Sequence, residues 1–172
     1  MAVPRLHFAH LPTSVEALPR LSGVLGGPRL LIKRDDQTGL AFGGNKTRKL
    51  EFLIAEAREQ GAKTLISGGA LQSNHCRQTA AVAARFGFEC ILVLSGDKSQ
   101  RASGNLLLDR LFGAEIVYIA SERARLHSSR DIRASHERWK KALPGSVRRI
   151  ECDRCAGDAF AMKELIEQKV KR

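Results

Sequence analysis

The chain has 172 residues, of which 43% are apolar, with 29 Lys and Arg against 18 Asp and Glu and a net charge of +11. That is enough to build a sizeable core, for one ordinary domain or one domain and a fragment of another. No apolar run approaches the ~20 residues of a membrane span, and Met1 to Ser14 holds no continuous apolar region of the secretory kind, so neither a spanning nor an exported protein is expected.

Residues 1–28, punctuated by Pro4, Pro12, Pro19 and Pro28, are predicted irregular. Arg29 to Lys33 reads as a strand and Asp35 to Gly39 as a turn. Gly43-Gly44-Asn45-Lys46-Thr47-Arg48-Lys49 is a glycine-rich loop running directly into a helix. Leu50, Leu53, Ile54 and Ala57 give that helix an apolar stripe, and Gly61 stops it. Thr64 to Ser67 is a short buried strand. A second glycine-rich loop, Gly68 to His75, leads into a helix from about Asn74 to Phe86, stopped by Gly87. Glu89 to Leu94 is a continuous apolar strand, as in a parallel sheet covered on both faces. Ser95 to Ser103 is a loop, Asn105 to Phe112 a helix ending at Gly113, and Glu115 to Ile119 a strand. A charged helix is predicted over about Ser129 to Ala142, and Val147 to Ile150 as a further strand. Strands alternating with helices of this length imply a doubly wound α/β unit with an open parallel sheet, whose ligands sit at the carboxyl ends of the strands.

Cys76 and Cys90 fall in predicted helix and strand, which reads as buried, reduced thiols of a cytoplasmic protein. Cys152-Asp153-Arg154-Cys155 is one CxxC with neither a second pair nor a histidine couple, so no metal site is expected. His127 and His136 read as surface histidines. Dinucleotide and Walker-type glycine motifs are absent, which leaves nucleotide binding without support. From Arg123 to Arg154 there are ten Lys or Arg against four Asp or Glu. This is either a nucleic-acid or anionic-surface patch or a solvated basic face. With Trp139 as its single aromatic the segment lacks the interleaved stacking residues of single-strand binders, which favours the solvated face.

The chemistry lies in the two glycine-rich loops. Lys46 stands at the mouth of one helix, where the macrodipole disfavours an ammonium by roughly 0.3–1 kcal/mol. That bias, with burial, favours the neutral amine that a carbonyl-trapping nucleophile requires. The second loop offers backbone N–H groups, with Gln72, Ser73, Asn74 and His75, to a carboxylate or phosphate. A nucleophilic amine facing an anion cradle suggests an aldehyde cofactor holding an amino acid. The plainer alternative is a solvated lysine in a glycine turn, with Ser73 and Asn74 merely capping a helix.

The segment Gly43-Gly44-Asn45-Lys46-Thr47-Arg48-Lys49-Leu50-Glu51 resembles the cofactor-lysine segment of the pyridoxal-phosphate enzymes related to D-cysteine desulfhydrase and 1-aminocyclopropane-1-carboxylate deaminase. Gln72 to Ala84 resembles the same family's substrate loop and helix, and weaker similarity runs from Leu31 to about Ile119. His75 after Ser73-Asn74 points to the desulfhydrase branch. The resemblance implies fold type II, tryptophan synthase beta-like, with pyridoxal phosphate as cofactor and no membrane association. It implies that Lys46 holds the cofactor, that Asn45 and Asn74 contact it, and that Gln72, Ser73, Asn74 and His75 bind the amino-acid substrate. Ser73, the released Lys46 or both would move protons. The expected reaction is elimination from D-cysteine to pyruvate, ammonia and sulfide, or in the deaminase branch ring opening to 2-oxobutanoate and ammonia.

The resemblance further implies that residues 1–49 belong to a large domain and carry the cofactor lysine, that 50–150 form a small α/β domain, and that 151–172 begin a truncated large domain. Members of the family are longer, are homodimers, and carry a glycine-rich phosphate loop in their second half that does not occur here. Residues 150–158 depart from the family pattern, which resumes at Ala161-Met162-Lys163-Glu164-Leu165, as a diverged or out-of-frame stretch would. A truncated product is thus expected, with an exposed apolar face. Other readings are an inactive fragment serving as an interaction module, and a basic nucleic-acid-binding protein.

Overall fold

The computed structural model describes residues 3–98, 101–119 and 147–149. The helix expected over 129–142, His127, His136, the Cys152 and Cys155 pair and the segment 151–172 lie outside the described residues. The chain forms β1 (Val15–Ala17), α1 (Pro19–Leu25), β2 (Leu31–Lys33), α2 (Lys46–Glu59), β3 (Thr64–Ala70), α3 (Asn74–Phe86), β4 (Glu89–Ser95), α4 (Gly104–Leu111), β5 (Glu115–Ile119) and β6 (Val147–Arg149). Two short 3₁₀ turns, Asp35–Gln37 and Leu40–Phe42, precede α2.

The main sheet has the order β5-β4-β3-β6, and every pairing in it is parallel. The chain moves outward from β3 through β4 to β5, then returns to pair β6 on the other side of β3. The order therefore reverses at β3, and in open parallel sheets a ligand crevice opens beyond the carboxyl end of such a strand. The predicted α/β class, the helix over 74–86 and the strand over 115–119 agree with the structure.

The core is the apolar stripe of α2 (Leu50, Ile54, Ala57) and the small-residue face of α3 (Cys76, Ala80, Val82, Ala83), packed with Leu65 of β3, Leu92 and Leu94 of β4 and Leu106 of α4. Each fully buried leucine contributes on the order of 1.5–3 kcal/mol through removal of apolar surface from water. Both long helices end at left-handed glycines, Gly61 at φ 67° and Gly87 at φ 77°. There the amides of Ala62 and Phe88 return to the carbonyls of Ala57 and Ala83, each at 3.0 Å.

Two expectations are corrected. Residues 1–28 are not uniformly irregular: β1 pairs antiparallel with β2 in a separate two-stranded sheet, and α1 starts on Pro19 and ends at left-handed Gly26. Neither β1 nor α1 buries a residue, so neither carries the periodicity that marks a core-facing element. The strand expected to end at Ser67 continues through Gly68 and Gly69 to Ala70, because seven consecutive pairings to β4 outweigh the poor strand propensity of glycine.

The N-terminal segment is tied to α2 through one buried acid. Glu51, 0% exposed, accepts from the amides of Phe8 and Ala9 at 2.8 Å each and pairs with Arg5 at 2.6 Å. Burial raises its pKa, but the amides of Ala9 and Phe8 and the Arg5 guanidinium outweigh it and hold the carboxyl below the ordinary glutamate value. A depressed carboxyl contributes stability at neutral pH that disappears as pH falls through its folded value. Glu51→Ala is expected to destabilise the fold by roughly 3–5 kcal/mol, since it leaves two amides and Arg5 without their acceptor. Urea midpoints measured at falling pH should show the acid-side loss of stability flattened in the variant.

Candidate active site

The lysine loop is shaped by close approach of backbone to backbone. Gly43 (φ 69°) and Gly44 (φ 124°) take conformations that side chains rarely adopt. A Cβ on Gly43 would lie 1.9 Å from the Asp36 carbonyl oxygen, and one on Gly44 2.3 Å from Gln78 Nε2. Gly44 donates its amide to the Asp35 carbonyl at 2.7 Å and to Thr38 Oγ at 2.9 Å. The Gly43 carbonyl accepts from Gln78 Nε2 at 2.6 Å and from Arg77 Nη2 at 3.1 Å. Thr47, fully buried, donates to Gln78 Oε1 at 2.9 Å. The loop is thus strapped onto α3, and the half-buried Lys46 opens α2 as its first residue. Asn45 precedes it, exposed, and its side chain does not cap the helix.

The second loop begins only after Ala70. Ser73 returns its amide to the Ala70 carbonyl at 2.9 Å, and its hydroxyl accepts from the Cys76 amide at 3.2 Å. Ser73 is therefore the N-cap of α3, as the plainer sequence reading had it. Gly69 has no room for a side chain, because a Cβ there would meet Ser73 Oγ at 2.8 Å. Gln72 and Asn74 are exposed, whereas His75 is buried at 2% exposure.

A cleft of about 740 Å³ lies between the loops, lined by Gly43, Gly44 and Asn45 on one side and by Asn74 and Arg77 on the other. Lys33, Arg34, Asp35 and Asp36 also line it. Arg34 is paired there with Glu16 at 2.8 Å and with Asp36 at 2.7 Å. Of the residues singled out by sequence, the fold brings Asn45 and Asn74 to one cleft, whereas Lys46, next to Asn45 in the chain, is not among its lining residues. Gln72, Ser73 and His75 stand on the same loop but do not line it.

Three polar residues were not legible in the sequence. Arg77, 5% exposed, reaches Gly43 and, at 3.3 Å, Asn74 Oδ1. Asn105, second residue of α4, donates Nδ2 to Asn74 Oδ1 at 2.9 Å and to the Gln72 carbonyl at 2.8 Å. Asp109, 0% exposed, has neither carboxylate oxygen hydrogen-bonded among the described residues, and the same holds for Nε and Nη1 of Arg77. For Arg77 a clue existed, a cation one turn before the apolar stretch Ala80 to Ala84 on the same helix. Nothing in the local pattern singled out Asn105 or Asp109.

Burial pushes the Asp109 carboxyl up to about 7, against the pull of the Arg77 charge, and burial next to Asp109 pushes the Cys90 thiol up to about 12. A raised carboxyl contributes stability in full below its unfolded value, and loses it as pH rises through the folded value. Stability should therefore fall between about pH 4 and about pH 7 on account of Asp109. Asp109→Asn is expected to flatten that slope and to stabilise the chain at pH 8 by on the order of 1–3 kcal/mol. The gain is smaller than the full shift implies because Arg77 loses its countercharge. Urea melts across this range check both.

Among the described residues no group of His, Cys, Asp or Glu is placed to hold a metal ion, and no helix is long and apolar enough to cross a membrane.

Residues 6–168 match the family described as pyridoxal-phosphate dependent enzyme. A D-cysteine desulfhydrase of Salmonella typhimurium is 53% identical over 118 residues, 66% of this chain and 36% of the relative. One from Klebsiella pneumoniae is 52% identical over the same shares. The chain therefore spans about a third of the length of the curated relatives it matches. A crystal structure described as an ACC deaminase homologue superimposes with a TM-score of 0.69 at 34% identity, covering 86% of this chain and 44% of that one.

Proposed function

The chain belongs to the pyridoxal-phosphate dependent enzyme family, and on that premise we propose that it derives from a lyase acting on D-cysteine, with Lys46 as the residue that holds the cofactor. The observation that carries this reading is the shared cleft. Asn45, with Lys46 directly after it, comes from one loop and Asn74, four residues beyond the end of β3, from the other, and both asparagines line it. The donors fit the group in kind: the carboxamides of Asn45 and Asn74 can bond a ring hydroxyl or oxyanion, and Lys46, the residue after Asn45, carries a primary amine able to condense with an aldehyde. When bound, pyridoxal phosphate would supply the electron sink that makes a bond at the amino acid's Cα labile.

The chain's own residues supply orientation and proton transfer. Lys46, at the first turn of α2, is positioned by the straps on Gly43 and Gly44, and would hold the cofactor aldehyde and move the proton at the substrate Cα. Asn45 and Asn74 would orient the cofactor ring. Asn74 would form the substrate side of the cleft, backed by Gln72, Ser73 and His75 on the same loop, with the α3 N-terminus favouring a carboxylate. Ser73 caps α3 with its hydroxyl oxygen and keeps its own proton available for exchange. Elimination of sulfide from D-cysteine, followed by hydrolysis with one water, would then yield pyruvate, ammonia and sulfide. Identity to D-cysteine desulfhydrases supports that substrate. The likeness to an ACC deaminase homologue supports a second reading, opening of 1-aminocyclopropane-1-carboxylate to 2-oxobutanoate and ammonia.

We further propose that residues 1–49 contribute to a larger domain and 50–150 form the smaller one, in a cytoplasmic homodimer. The separate β1–β2 sheet and the exposure of Val15, Leu21, Val24, Leu25 and Leu31 support that division. Titration with pyridoxal phosphate, borohydride reduction and peptide mass spectrometry should find a reduced adduct on Lys46 that Lys46→Ala abolishes. Absence of any adduct on that lysine would leave an inactive fragment as the reading of this chain. Sulfide release from D-cysteine, as against 2-oxobutanoate from the cyclopropane substrate, separates the two reactions.

A further inference from the structure

Resting on the cofactor-cleft reading above, we infer that Asn105 is a positioning residue that acts through Asn74, setting its carboxamide so that the NH₂ group, not the oxygen, is presented to the bound cofactor. The argument is a chain of forced hydrogen-bond polarities. The Gln72 backbone carbonyl can only accept, and Asn105 meets it at 2.8 Å, so the Asn105 atom on that side must be Nδ2. The same Nδ2 lies 2.9 Å from Asn74, so the Asn74 atom it meets must be the acceptor Oδ1. Arg77 imposes the same choice independently. A guanidinium can only donate, and its Nη2 lies 3.3 Å from that same Oδ1. With Oδ1 engaged by two donors, the two N–H bonds of Asn74 are left for the cleft that Asn74 lines. An acceptor on the ligand, a phenolate or carboxylate oxygen, is then the group this position recognises.

Asn105 is itself held in register from both ends. Its amide donates to Gln72 Oε1 at 2.9 Å, and Gln72 Nε2 donates to the Ser103 carbonyl at 3.1 Å. Gly104 (φ 53°) allows this approach, since a Cβ there would lie 2.5 Å from Gln72 Oε1. The start of α4 therefore reads the loop before α3 and transmits its position to Asn74.

The test compares the whole chain with Asn105→Ala, Asn74→Ala and the double variant by pyridoxal-phosphate titration, following absorbance and borohydride-trapped Lys46. Asn105→Ala should weaken uptake about tenfold, the worth of one well-made hydrogen bond, and shift the absorption band of what is bound. Because Asn105 acts through Asn74, the double variant should bind no more weakly than Asn74→Ala alone. Unchanged uptake in Asn105→Ala, or losses that simply add, would overturn the inference.

A second measurement needs no cofactor. Asn74→Asp keeps an acceptor toward both donors and should keep the melting midpoint, whereas Asn105→Asp sets an acceptor against two acceptors and should lower it by a few degrees. The reverse order would overturn the assignment of Asn74's orientation even if the parent chain took up no cofactor, an outcome that by itself counts against the functional reading.

Discussion

The structure around the cleft depends on one carbonyl. Gly43 presents its oxygen to Gln78 at 2.6 Å and to Arg77 at 3.1 Å, both on α3, and these bonds join the lysine loop to the helix that carries the second loop. Beyond them, the Thr47–Gln78 hydrogen bond and the packing of α2 against α3 hold the two loops together. A bond to a charged donor contributes about 1.5–3 kcal/mol, and an unmet buried carbonyl costs a comparable amount, so the contact is strongly one-sided. Its other requirement is steric: no side chain fits at position 43 or 44 while Asp36 and Gln78 stand where they do.

This recasts the role of the glycines. In the sequence they suggest loops that cradle an anion with bare backbone. In the structure Gly43 and Gly44 let the chain pack against its own Asp36 and Gln78, and Gly69 lets Ser73 fold back to cap α3. Beyond lining the cleft with backbone, Gly43 and Gly44 set where Asn45 stands, and the capped turn at Ser73 sets where Asn74 stands. The helix N-terminus remains a favourable place for an anionic substrate group, with Ser73 meeting one of its amides.

Polar burial is concentrated at the same place. Thr38, Thr47 and Gln78 are fully buried and hydrogen-bonded to one another or to the loop backbone, whereas Asp109 and part of Arg77 are buried without full hydrogen bonding among the described residues. Charges held this way cost stability that apolar residues would not, and such expense collects around sites that must hold a geometry. Arg77 links the two: its Nη2 reaches Gly43 and Asn74, and its charge is what opposes the rise of the Asp109 carboxyl.

The residues by themselves determined the α/β class, the helix over 74–86, the strands over 89–94 and 115–119, and the loops bearing Lys46 and Asn74. Each of these is a local matter of apolar period and glycine stops, readable in a window of ten or so positions. Only the tertiary structure decided that Asn45 and Asn74 share one cleft, that β3 runs through its glycines, and that Asn105 and Arg77 hold Asn74 from two sides. Those outcomes rest on pairings between residues separated by about 30 positions, such as Asn105 with Asn74 and Arg77 with Gly43. β1 and α1 escaped notice for the complementary reason: they bury nothing, and a segment without a core-facing side leaves no period to read.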